Sequence, residues 1–170
     1  MRLLWSKSNN PIDWLIGLMT GQDCAHFSFS FEDIHGQEMV FETNLLGGHP
    51  AFYSTWISAS GRQIIHSQVV PATPDEVAAL WLSWVQNYDG KGYDFLGAFY
   101  TGLMVLRLRV FGIPKPLRNA WSQRNKFYCD EIYQLVSGRF GFPSITSVSN
   151  GMDTPHDVWG KLQSGEASPL

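Results

Sequence analysis

Cysteine is scarce in this chain, and so is charge. Only two cysteines, Cys24 and Cys129, occur among 170 residues. Two are too few for a disulfide framework or a cysteine-only zinc site, although a single Cys24–Cys129 bridge stays open. Charged residues make up 16% of the chain and leave a net charge of −3, with no run of Lys or Arg. The basic field that draws proteins to nucleic acid is therefore missing. No uncharged apolar run reaches the roughly 20 residues that a membrane-spanning helix needs. The most apolar stretch, "FLGAFYTGLMVLRLRVFGI" at 95–113, is interrupted by Arg107 and Arg109, and it reads as a buried or interfacial helix. The opening segment, "MRLLWSKSNNPIDWLIGLM", is broken by Lys7, Asn9, Asn10 and Asp13 and is followed by no small-residue cleavage site. It does not read as a secretory leader.

What is present is apolar and aromatic material, 44% and 14% of the residues. That is enough for one domain with a real core, set here at 1–163, with "SGEASPL" from 164 to 170 as a flexible tail. "NPIDWLIGLMT" predicts a helix, with Asn10 as cap, Pro11 in the first turn and Gly21 as the stop. "AHFSFSF" at 25–31 alternates strictly. Phe27, Phe29 and Phe31 share one face of a strand, and His26, Ser28 and Ser30 share the other. "QEMVFET" at 37–43 is the returning strand. "NLLGGHPAFYSTW" is broken by Gly47, Gly48 and Pro50 and reads as loop before another strand. "RQIIHSQVV" at 62–70 is a further strand. Thr73, Pro74 and Glu76 open a second helix with a capping box. A third helix follows Tyr93, and Pro114 and Pro116 close it. "KFYCDEIYQLVSG" at 126–138 is a short helix that starts near Cys129. Grouped strands and grouped helices predict an α+β fold with an antiparallel β-sheet packed against helices.

The thiol of Cys129 raises the chemical question. A helix N-terminus and a nearby imidazolium both favour the reactive thiolate. Five histidines are available to supply the second. His35 and His49 sit in turns, His156 precedes a short helix, and His66 lies in a strand and competes for the role. His26 stands on the polar face of an alternating strand, where the sheet sets its direction. A base of this kind needs a third group to hold its tautomer. If residues 31 and 37 pair across the hairpin, Glu42 lies opposite His26 on the same face. Each residue alone has a plainer reading: Cys129 as a small buried hydrophobe, His26 as a structural residue, Glu42 as an edge charge. A metal site built from Cys24, His26 and Cys129 lacks a fourth ligand. No metal and no cofactor are expected.

Taken in order, these segments resemble the circularly permuted, papain-like cysteine hydrolases of the NlpC type, which include YiiX-like proteins and the lecithin retinol acyltransferase group. The match runs from "WLIGLMTGQDCAHFSFSF" through "MVFETN", "GKGYDFLGAF" and "KFYCDEIYQLV" to "DTPHDVWGKL". The resemblance implies a papain-like fold with the histidine strand before the cysteine helix. It implies Cys129 as nucleophile, His26 as base and Glu42 as the residue that orients it. Tyr128 and Tyr93 are candidates to assist the oxyanion, and Asp130, beside the nucleophile, is a candidate contact for a cationic group. Ala25, Phe27 and Asp130 depart from the usual residues at their positions. The implied reaction is amide hydrolysis through a thioester, on bacterial cell-wall peptides. A lipid acyltransferase or thioesterase on the same scaffold is one alternative, and a catalytically inert phage-assembly component is another. The expected partners are a peptide or acyl substrate and no nucleic acid; for 95–113 a core helix is favoured over membrane contact. The expected location is the cytoplasm or a phage particle.

Overall fold

The computed structural model describes residues 1–44, 47–116, 119–121, 126 and 154–164. Five strands form one sheet: β1 (Arg2–Lys7), β2 (His26–Glu32), β3 (Glu38–Asn44), β4 (Gly47–Phe52) and β5 (Gln63–Val69). Their order is β4-β3-β2-β1-β5, and all neighbours run antiparallel. The helices are α1 (Pro11–Thr20), α2 (Tyr53–Ser58), α3 (Pro74–Asn87), α4 (Phe95–Phe111) and α5 (Pro155–Ser164). A 3-10 turn, Ala59–Gly61, links α2 to β5. The α+β class and the antiparallel sheet are as expected. β1 is a strand that the sequence reading did not assign. It lies between β2 and β5 in the middle of the sheet, because "LLW" is buried on both faces and shows no alternation.

The alternation in β2 is real, but its polar face is not a wet one. Leu3, Trp5, Phe27, Phe29 and Phe41 build the main core with Leu80 and Trp84 of α3 and Val158 of α5. Trp84 meets Phe29 edge-on and tilts over Phe41, with centroids 5.8 and 5.1 Å away. Trp5 Nε1 donates to the Pro155 carbonyl at 2.8 Å, which ties α5 to β1. On the opposite face Leu4 and Val40 pack under Trp56 of α2, and His26, Ser28 and Ser30 are buried with them. The sheet is covered on both sides.

Local signals set the helix ends. Asn10 Oδ1 accepts from the Ile12 and Asp13 amides at 2.9 and 2.8 Å, and Gly21 caps α1 in the left-handed region at φ 66°. The Thr73–Glu76 capping box is present at α3. α4 is not a core helix. It buries Gly97, Thr101, Gly102, Met104 and Val105, and exposes Phe95, Leu96, Phe99, Leu108, Val110 and Phe111. Its small residues let it lie close against α1. A methyl group at Gly102 would stand 3.1 Å from Met19 Cε. The bulky side chains are thereby turned away from the protein.

Trp84 is wholly buried among aromatic rings. Trp84→Ala is expected to lower unfolding stability by about 3–5 kcal/mol, read from urea denaturation. A loss below about 1 kcal/mol would contradict this packing.

Candidate active site

The β2–β3 hairpin turns one residue later than the sequence reading assumed, which shifts the pairing by two. Asp33 N–H donates to the Gln37 carbonyl at 2.8 Å, and Gly36 holds φ 73°. Asp33 Oδ1 accepts from the His35 and Gln37 amides, so its side chain nucleates the turn. Phe31 therefore pairs with Met39, not with residue 37, and Phe29 with Phe41. Continuing this register sets Ser28, not His26, opposite Glu42. A slip of two keeps parity, so Glu42 is still on the His26 face.

The carboxylate on His26 belongs to Asp13. His26 Nε2 lies 2.6 Å from Asp13 Oδ1, and both side chains are buried. Asp13 Oδ2 accepts from the Ser8 amide and from Ser8 Oγ, each at 2.7 Å. Asn10 Nδ2 donates to the same Ser8 Oγ. Burial pushes the Asp13 carboxyl up, but the His26 ring and the two Ser8 donors outweigh it and bring it down to about 2. Asp13 is thus ionised near neutral pH and can only accept, so His26 Nε2 carries the proton. In the neutral ring the lone pair then falls on Nδ1. That atom is buried and has no hydrogen-bond partner among the described residues. A base held by a carboxylate on one nitrogen and open on the other is the form that proton abstraction requires.

Glu42 does different work. It accepts from Trp56 Nε1 at 2.6 Å and faces Arg62 Nη1 at 3.2 Å. Arg62 lies over the Trp56 ring at 4.5 Å and reaches Ser6 Oγ. Glu42, Trp56 and Arg62 form a closed buried triangle that fastens α2 to β3. Asp13 is the carboxylate bonded to His26, because the hairpin register sets Glu42 opposite Ser28 while the cap of α1 carries Asp13 to the imidazole. Ser28 Oγ and Arg62 Nε, on this same face, also lack partners among the described residues.

Tyr93 is buried just before α4, edge-on to Phe95 with centroids 5.0 Å apart. It shares with Ala25 a cavity of about 170 Å³, which lies between α1 and α4. Asp94 caps α4 by accepting from Gly97 N–H at 2.9 Å, which explains the Tyr-Asp pair in structural terms. Cys129, Tyr128 and Asp130 lie outside the described residues. Cys24 is a free thiol, and burial, with Asp23 and Asp157 adding to it, pushes it up to about 12. It is a buried space-filler. His66 stacks on Trp159 at 4.3 Å and is engaged as an aromatic surface. Among the described residues no group of His, Cys, Asp and Glu could hold a metal ion. No family model, curated protein or solved structure matches the chain.

Asp13 carried a signal that sequence reasoning passed over. It is the only charged residue in a helix of otherwise apolar or small residues. A carboxylate in that setting is expected to have a partner.

The folded Asp13 carboxyl titrates below an unfolded one, so its contribution is complete above about pH 4. It is lost as pH falls through about 2. Between those values the protein is expected to lose about 2 kcal/mol of stability that Asp13→Asn does not lose. Urea unfolding of both proteins at stepped pH measures the difference, and parallel pH profiles would refute it.

Proposed function

We propose that the chain is a cysteine hydrolase that cleaves amide bonds by acyl transfer, in which His26, held by Asp13, activates Cys129. One observation carries the reading. A buried histidine is oriented by an ionised carboxylate through Nε2 and leaves Nδ1 open among the described residues. The ordered motifs that resemble the permuted papain-like hydrolases support it, because they supply a cysteine, at the start of a segment whose sequence reads as helical, downstream of the histidine strand.

The steps follow from these groups. His26 Nδ1 takes the Cys129 thiol proton. The thiolate adds to the substrate carbonyl, and the Cys129 backbone N–H donates to the oxyanion. His26 then gives its proton to the departing amine, leaving a thioester. Water, deprotonated by His26, releases the acid and regenerates the thiol. Throughout, Asp13 holds the tautomer and stabilises the imidazolium. Cell-wall stem peptides are the substrate class that the resemblance favours. The apolar cavity between α1 and α4 favours a second reading, in which the acyl group is a lipid chain and the enzyme an acyltransferase or thioesterase.

Cys129→Ala is expected to abolish turnover with the fold retained. Asp13→Asn is expected to lower kcat by about 100-fold or more, as an imidazole in the wrong tautomer does, whereas Glu42→Gln keeps kcat within a few-fold. Equal losses in the last two would return the orienting role to Glu42. Assays on stem peptides and on lipid esters separate the two substrate classes. A thiol-reactive probe at mildly acid pH is expected to label Cys129 well before Cys24, whose thiol stays protonated. Equally slow labelling of both would argue for a catalytically inert protein.

A further inference from the structure

We propose that the outer face of α1 and α4, with the C-terminal end of α4, docks on an anionic lipid surface. This inference concerns where the protein sits and rests on neither catalytic reading.

The two helices pack side by side and turn large apolar groups outward. Trp14 is 68% exposed and Leu18 58% on α1, and Leu96 is 50% and Phe99 48% on α4. Beyond them the C-terminal end of α4 is exposed as well, with Arg109 lying beside the Gly21 cap of α1. Every residue from Arg107 to Pro114 is exposed, including Val110 at 61% and Phe111 at 72%. Folded proteins seldom leave such a continuous apolar surface to water.

Charge selects the occupant. α1 and α4 carry between them one acid, Asp13, which is buried on His26, and two exposed bases, Arg107 and Arg109. The exposed Asp23 follows beyond the cap of α1. The protein as a whole has net charge −3, so its negative charge is carried elsewhere. Anionic headgroups meet the two arginines while the exposed apolar side chains enter the acyl boundary. No helix among the described residues is long and apolar enough to cross a membrane, so the contact is with the interface.

The test is co-sedimentation with vesicles of phosphatidylcholine alone and with phosphatidylglycerol added, at low and high salt. Binding to the mixed vesicles and a fall at high salt are expected. Leu18→Ser with Phe111→Ser removes exposed side chains and should weaken binding about tenfold or more, with circular dichroism and melting unchanged. Arg107→Glu should weaken binding to the anionic vesicles alone. No binding by the parent protein, or equal binding by the double variant, overturns the proposal. So does a dimer by light scattering that the double variant abolishes, since a second copy would then cover the face. A probe thiol at Leu18→Cys, in the Cys129→Ala background, should react freely without vesicles and be protected by them. An unreactive thiol without vesicles means that the chain covers its own face, and the proposal fails.

Discussion

One carboxylate joins three elements of this protein. Asp13 Oδ1 holds the imidazole at the start of β2, and Oδ2 takes both the amide and the hydroxyl of Ser8 just past the end of β1. The carboxylate itself rides on the first turn of α1, whose cap, Asn10, bonds the same Ser8. A buried charge is tolerated only when its lone pairs are filled, and here one oxygen is filled from β2 and the other from the residue just past β1. The constraint works in both directions. It fixes the angle at which α1 leaves the sheet, and it fixes which nitrogen of His26 bears the proton.

The same face of the sheet carries a second buried charge, and the two are kept apart. Glu42 is committed to Trp56 and Arg62, and Asp13 to His26 and Ser8. Each acid has a basic partner and neutral donors, so neither competes for the other's cation. Arg62 bridges the arrangements through Ser6, which pairs with His26 across β1 and β2. The polar stripe of β2 is therefore an interior polar layer under α2. The aromatic face behind it, Trp5 to Phe41 with Trp84, is packed tightly enough to hold that layer in place.

The chain also spends its bulky residues in two ways. In the core they face the sheet. On α4 many of them face outward, because Gly102 occupies the position against Met19 of α1. An apolar helix whose small residues make the contact is suited to a close helix pair and to a second, apolar environment outside. The cavity between α1 and α4 lies between that outer face and Ala25, the residue before His26.

Much of this was legible one segment at a time. Asn10 and Gly21 bound α1, the capping box opens α3, and the Phe-Ser alternation sets the two faces of β2, because each of these is a contact between residues a few positions apart. β1 was not legible, since a central strand buried on both faces shows no period. The turn of the hairpin was placed one residue early, since the choice rested on the Asp33 side chain closing over Gln37. Composition and local pattern by themselves determined an α+β fold, a helix at 11–20 and a histidine on the polar face of a strand. Which acid meets that histidine was decided only in three dimensions, where the register of one hairpin and the capped end of one helix bring Asp13, and not Glu42, within hydrogen-bonding reach of the ring.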